Sequence, residues 1–232
     1  FTSPKDANFN DTIADIHHLL NSLDYVHRIV LIGGEPFLCR ELYRYVEYLV
    51  QCETVGIVYI VTNGTILPKD RNLTCLKSPK VMVQISDYGA LSQNITSLIE
   101  LLQKEHIIYQ RHPQSGWTEL NLYPHHRTPE EQEIIYKNCT QHSACQTIKD
   151  GRLFPCPFLA GAAALCAIPN VDDYSVSLTG KTAEQLREEI RTLQKRSYFQ
   201  ACDFCSGFSG DKTQIPAAIQ AGAPISYTKY WE

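Results

Sequence analysis

The stretch Ile29-Val30-Leu31-Ile32-Gly33-Gly34-Glu35-Pro36 decides the fold. Four aliphatic residues in a row predict a strand buried on both faces, the kind found in parallel sheets under helices. Two glycines then let a ligand's polar end come close to bare backbone, and Glu35 offers a carboxylate to an ammonium. Pro36 has no N–H to give to a ladder, so the strand ends there. The same tetrapeptide also fits a tight strand-to-helix turn with a solvated Glu35.

Around this strand, helical and extended periodicities alternate. Asn10-Asp11-Thr12 can cap a helix with Ile13, Ile16, Leu19, Leu20 and Leu23 on its apolar face. An amphipathic helix is expected from about Cys39 to Gln51, with Leu42, Val46, Leu49 and Val50 on one side. Strands follow at Ile57–Thr62, running into Asn63-Gly64-Thr65, and at Val81–Ser86, ending in Asp87-Tyr88-Gly89. A helix from Asn94 to Lys104 and a strand from His106 to Gln110 complete the pattern. Strict alternation implies right-handed βαβ crossovers and a parallel sheet, either open and doubly wound or part of a barrel. In both, ligands collect at the carboxyl ends of the strands. The tips Gly33–Glu35, Thr62–Gly64 and Ser86–Asp87 are therefore expected on one rim. Periodicity fails from Arg111 to Thr128, read as a loop in which His112 and Trp117 are candidates for substrate contact or packing, and His125-His126 as a solvated pair.

With 232 residues and 44% hydrophobic content, the chain can bury a proper core. A formal net charge of -4 and the lack of any Lys/Arg run argue against a nucleic-acid partner. The longest apolar runs fall short of the ~20 residues that cross a bilayer, so no membrane partner is expected. The chain opens with Phe1, which suggests a fragment or a processed form.

Nine cysteines are unevenly placed. Cys39, Cys52 and Cys75 suit small buried apolar positions, as does Cys166 in its Ala-rich run. Asp150-Gly151 signals a two-residue hairpin turn, with Lys149 paired to Arg152 and, counting outwards, Cys145 opposite Cys156. Cys139 lies just before, and Cys202-Asp-Phe-Cys205 follows a helix expected from about Thr182 to Arg196. Five thiols could thus converge on zinc, on an iron–sulfur cube, or on each other as disulfides. Asn-x-Ser/Thr sequons at Asn10, Asn63, Asn72, Asn94 and Asn138 would fit a secreted glycoprotein, but Asn63 sits at a tip assigned to ligand. A reducing cytoplasm is the expected compartment.

Gly33-Gly34-Glu35-Pro36 after a strand resembles the GGEP motif of radical S-adenosylmethionine (SAM) enzymes. Cys139, the hairpin Gly151, Cys156 and the distant Cys202-x-x-Cys205 resemble the twitch or SPASM-type auxiliary [4Fe-4S] domain attached to many of them. The resemblance implies an α/β fold: a partial (β/α) TIM-like barrel of parallel strands over 1–130 and a small C-terminal cysteine-rich hairpin-plus-helix domain over 131–232. It implies that Gly33, Gly34, Glu35 and Pro36 hold the SAM amino group, with Asn63, Ser86 and Asp87 lining the rim. It also implies that four of Cys139, Cys145, Cys156, Cys202 and Cys205 ligate the auxiliary cluster. The family's Cys-x-x-x-Cys-x-x-Cys loop for the catalytic cluster is absent from this sequence, and is expected upstream of Phe1 or lost. With that loop, the implied activity is formation of a 5′-deoxyadenosyl radical that removes hydrogen from a peptide, sugar or small metabolite, fed by an electron donor such as flavodoxin or ferredoxin. The alternative is a non-catalytic zinc- or iron–sulfur-binding module on a related fold. No catalytic side chain is assigned.

Overall fold

The computed structural model describes residues 7–209 and 213–217. Pro224 and the aromatic residues Tyr227, Tyr230 and Trp231 near the end of the sequence lie outside the described residues. The helices are α1 (Phe9–Ser22), α2 (Leu42–Gln51), α3 (Asp70–Thr74), α4 (Ile95–Lys104), α5 (Pro129–Asn138), α6 (Gln141–Ala144), α7 (Pro157–Ala164) and α8 (Ala183–Gln194). The strands are β1 (Val26–Leu31), β2 (Val55–Thr62), β3 (Val81–Asp87), β4 (Tyr109–Pro113), β5 (Trp117–Thr118), β6 (Thr147–Lys149), β7 (Arg152–Phe154), β8 (Val176–Ser177) and β9 (Gln214–Ile215). The chain divides into two compact units. One is Leu23–Gly116 with the described residues before Ala14; the other is Ala14–Ser22 with the chain from Trp117 onward.

The first unit is built on a four-stranded parallel sheet in the order β1-β2-β3-β4. Each strand lies beside its sequence neighbour, so the winding has no reversal point. Alternate residues of β2 and β3 are fully buried, among them Val55, Val58, Ile60, Val81, Val83 and Ile85. Val46 and Leu49 of α2 and Leu98 and Leu102 of α4 are fully buried with them, each helix offering a stripe at three- and four-residue spacing.

The strand that led the sequence reading is not buried on both faces. Among the described residues β1 pairs only with β2, which makes it an edge strand, and Val30 and Ile32 remain 37% and 68% exposed. Apolar run length reports a preference for burial; whether a neighbour covers the strand is a tertiary matter. Smaller shifts have local causes. Asn8 caps α1, its side chain accepting from Asp11 N at 3.1 Å, a turn ahead of the expected cap. Pro36 opens a 3-10 turn over Pro36–Leu38, so α2 begins only at Leu42. The fourth strand runs Tyr109–Pro113, later than the expected His106–Gln110, because His106 has φ +55° and is not extended. The segment read as a loop after Arg111 contributes the end of β4 and β5.

The second unit joins the β6-β7-β8 meander to α5, α7 and α8. Its hairpin is the expected one: Lys149 pairs with Arg152, and Asp150 and Gly151 have φ of +47° and +72°, as a turn with two left-handed residues requires. Leu153, Phe154, Leu159, Tyr174, Val176, Leu186, Ile190 and Phe199 form its core. Helices α5 and α8 both open with a full capping box, Thr128 with Glu131 and Thr182 with Gln185. In each, two backbone donors at the helix start are satisfied reciprocally. Thr182→Ala is expected to lower the unfolding free energy by about 1 kcal/mol, read by denaturant titration, because it leaves the Gln185 N–H without its hydroxyl acceptor.

Candidate functional site

The parallel register brings the carboxyl ends of β1, β2 and β3 to one edge of the sheet, and hydrogen bonds stitch the tips together. Glu35 is half-buried and turned towards the end of β2. One carboxylate oxygen accepts from Phe37 N at 3.0 Å, the other from Asn63 N at 2.9 Å, and Thr62 Oγ1 donates to both at 2.9 Å. Asn63 Nδ2 donates to the Gly34 carbonyl at 3.3 Å, and its Oδ1 accepts from Thr65 N at 3.0 Å. Ser92 Oγ bridges β2 and β3 by donating to Asn63 O at 2.6 Å. Burial pushes the Glu35 carboxyl above its ordinary value, against the pull of the Phe37 and Asn63 N–H groups and the Thr62 hydroxyl.

Neither the solvated Glu35 nor the Glu35 wholly available to a ligand's ammonium is what the fold contains. The carboxylate pins two strand ends and caps the turn after it, leaving only its remaining lone pairs for a ligand. Gly33 and Gly34 are exposed, and nothing stands within 4 Å of where a Cβ would sit on either. An open, side-chain-free backbone with carbonyls at a strand tip is a fitting acceptor for an ammonium group. Pro36 is buried and serves the turn.

Ser86 and Asp87 reach the same edge but face inward, each 8% exposed. Asp87 accepts from Arg111 Nε at 2.8 Å and from Gly89 N at 2.9 Å. The Arg111 guanidinium holds its carboxyl below the usual carboxylate range. Asp87 thus clamps β3 to β4 at the edge where it was expected to line the rim. Thr62 and Arg111 were missed in the sequence because strand periodicity does not say which polar side chain at a tip will find a partner.

In the second unit, four of the five candidate thiols share one neighbourhood. Burial pushes the Cys202 thiol up to about 12, with the charges of Cys156, Cys205 and Cys139 adding to the effect. Cys156 is pushed up to about 12 by burial first and then by Cys205 and Cys139, against the N–H groups of Leu159 and Phe158. The Tyr136 hydroxyl, also raised to about 12, is buried and feels Cys202, Cys156 and Cys139. Cys145 is not among the charges that act on any of these groups. The ladder explains its absence: pairing stops at Thr147 with Phe154, after which Cys145 ends α6 and Cys156 caps α7. Strand pairing ends before either cysteine, so outward counting does not hold Cys145 opposite Cys156.

Local elements bring the four together. Cys139 ends α5, whose capping box the sequence reading overlooked although Thr128-Pro-Glu-Glu131 announces it. Cys202 and Cys205 sit on and just after a 3-10 turn over Gln200–Phe204. Thr140 N donates to Phe208 O at 2.9 Å, tying the residue after Cys139 to the chain beyond Cys205. The Tyr136 ring stacks on His142 at 3.9 Å and meets Phe199 edge-on at 5.6 Å, forming an aromatic wall. No disulfide joins any of the nine cysteines. Among the described residues no three His, Cys, Asp or Glu side chains lie close enough together to hold one metal ion.

Other expectations are revised. Cys166 is exposed rather than core, its φ of +51° turning the chain after α7, and Cys39, Cys52 and Cys75 are only half-buried. Of the expected solvated pair, His126 is exposed, whereas His125 is half-buried with its ring 4.6 Å from that of Tyr123. Trp117 and His112 are both exposed. Three of the five sequon asparagines are engaged in hydrogen bonds, Asn63 as described, Asn72 Nδ2 to Cys39 O at 2.9 Å and Asn94 Nδ2 to Thr65 O at 2.6 Å. No helix of the described residues is long and apolar enough to cross a membrane. Compared with known proteins, the chain matches no protein-family model and no curated protein.

Proposed function

We propose that this chain is the SAM-headgroup and auxiliary-cluster portion of a radical SAM iron–sulfur enzyme, acting on a peptide, sugar or small metabolite. The observation that carries it is that Cys139 and Cys205, from distant parts of the sequence, both lie near enough to Cys156 and Cys202 for their charges to act on them. Four neighbouring, part-buried thiols cannot all ionise side by side unless a cation neutralises them, so the donor set fits a cationic centre. Around one zinc ion, Zn–S bonds of about 2.3 Å hold all four sulfurs within about 4 Å of each other. A looser nest supports the four-iron cube, which takes one cysteine per iron.

At the strand tips, the sequential winding of the parallel sheet supports a barrel segment, with its ligand edge at the carboxyl ends of the strands. There the uncrowded backbone of Gly33 and Gly34 receives an ammonium, while Glu35 fixes its position through Thr62 and Asn63. A SAM-bound catalytic cluster would supply the radical chemistry, and its ligand loop is not among these residues. The chain's own part is to hold the amino-acid headgroup and to ligate the second cluster.

Anaerobic reconstitution with iron and sulfide is expected to give about four irons per chain. Calorimetry with SAM should show binding that Gly34→Val abolishes, since a branched side chain would fill the open backbone. Stoichiometric zinc without SAM binding would overturn this reading in favour of a non-catalytic metal module.

A further inference from the structure

We propose that Arg127 is the positioning residue of the thiol nest, locking the Cys202–Cys205 turn in its ligating posture. The inference rests on the iron–sulfur reading and adds to it a group that is not itself a ligand.

The Arg127 Nη1 donates to three backbone carbonyls, those of Cys202 at 3.3 Å, Asp203 at 3.3 Å and Cys205 at 2.9 Å. The turn answers in kind. Asp203, between the two cysteines, accepts through one carboxylate oxygen from Arg127 N at 2.9 Å and through the other from His126 N at 3.0 Å. His125 N donates to the Asp203 carbonyl at 3.1 Å. Residues 125–127 and 202–205 are therefore zipped along both backbones, by a guanidinium from one side and a carboxylate from the other.

The chemistry explains why an arginine stands here. The turn satisfies the Cys202 carbonyl internally, Cys205 N donating to it at 3.2 Å, but the carbonyls of Asp203 and Cys205 at its end take outside donors. A guanidinium has five N–H donors, no acceptor and a permanent charge, so it can gather several carbonyls without competing for their donors. Among the described residues no carboxylate forms an ion pair with Arg127, so its side chain is committed to the turn. The same residue precedes Thr128, the cap of α5, and α5 ends at Cys139. One anchor thus sets the near end of the helix that delivers the third thiol and the turn that delivers two others. Groups that orient ligands from behind cost about 10- to 100-fold in metal affinity when removed.

The test uses the full chain, reconstituted anaerobically with iron and sulfide and then challenged with a chelator. Arg127→Met, which keeps bulk and loses the donors, is expected to give up its iron at least about tenfold more readily than wild type. Arg127→Lys, which restores donors to the carbonyls, should recover most of the retention. The metal-free Arg127→Met protein should still melt well above the assay temperature, separating ligand positioning from folding. If that variant does not fold, Asp203→Asn takes its place, since it loosens the same turn from the other side. Iron retention equal to wild type in Arg127→Met, or an Arg127→Lys protein no better than Arg127→Met, overturns the inference. A wild-type chain that takes up no iron overturns the iron–sulfur reading, and the inference with it.

Discussion

Serine in place of both Cys156 and Cys202 is expected to reduce iron uptake to background, while serine in place of Cys145 leaves it unchanged. Within the nest, Cys156 and Cys202 are the two thiols whose surroundings are seen to disfavour the free thiolate. Burial, with the other cysteines behind it, pushes each up to about 12. A bound iron–sulfur centre reverses that balance, because it needs thiolates and supplies the positive charge that stabilises them. Removing one ligand still leaves three, so either single variant should keep some iron and lose it to a chelator at least about tenfold faster. Cys145 is not among the charges that act on Cys156 or Cys202 and serves as the internal control. Uptake by both wild type and Cys145→Ser should load with full stoichiometry. Equal loss in Cys145→Ser and Cys156→Ser would show that the nest is drawn wrongly.

The same thiols set a pH dependence whose sign differs between the two forms. In the metal-free protein the folded thiols hold their protons to about 12, whereas an unfolded thiol releases its proton near 9. The unfolded state therefore binds fewer protons in that window, and metal-free stability falls as pH rises from about 9 towards about 12. Metal uptake releases protons, so loading should tighten with rising pH, the opposite trend. Melting curves of the two forms across that range distinguish the cases.

Glu35→Ala is expected to destabilise the first unit by about 3 kcal/mol and to abolish SAM binding, measured by denaturant unfolding and calorimetry. The substitution strands the N–H groups of Phe37 and Asn63 and the Thr62 hydroxyl, which all donate to one carboxylate. Stranded donors at part-buried sites cost about 1–3 kcal/mol each, and local relaxation recovers a share. Loss of the pin also frees Gly33 and Gly34 to move. The pH behaviour provides a second check. Because the folded carboxyl sits above its ordinary 4.5, the folded state holds its proton longer than the unfolded one. The stability Glu35 contributes relative to Glu35→Gln should be greatest below 4.5 and shrink as pH rises through the folded value. A difference between the two proteins that grows with pH would contradict the burial of this carboxylate.

By itself the sequence determined the elements that rest on local rules. Helical spacing predicted α2 and α4 to within a turn, alternation of strands and helices predicted a parallel sheet, and Asp150-Gly151 predicted the hairpin and its register. Those outcomes depend on residues near each other along the chain. Only the tertiary structure decided that β1 is an edge strand, that Glu35 and Asp87 are committed to internal partners, and which cysteines meet. Each of these depends on what arrives from far away: Thr62 and Asn63 for Glu35, Arg111 for Asp87, and the Cys202–Cys205 turn for Cys139 and Cys156. A side chain's chemistry is written in its own residue, but its role is set by the donors and charges that the fold places around it, which lie tens of residues away in sequence.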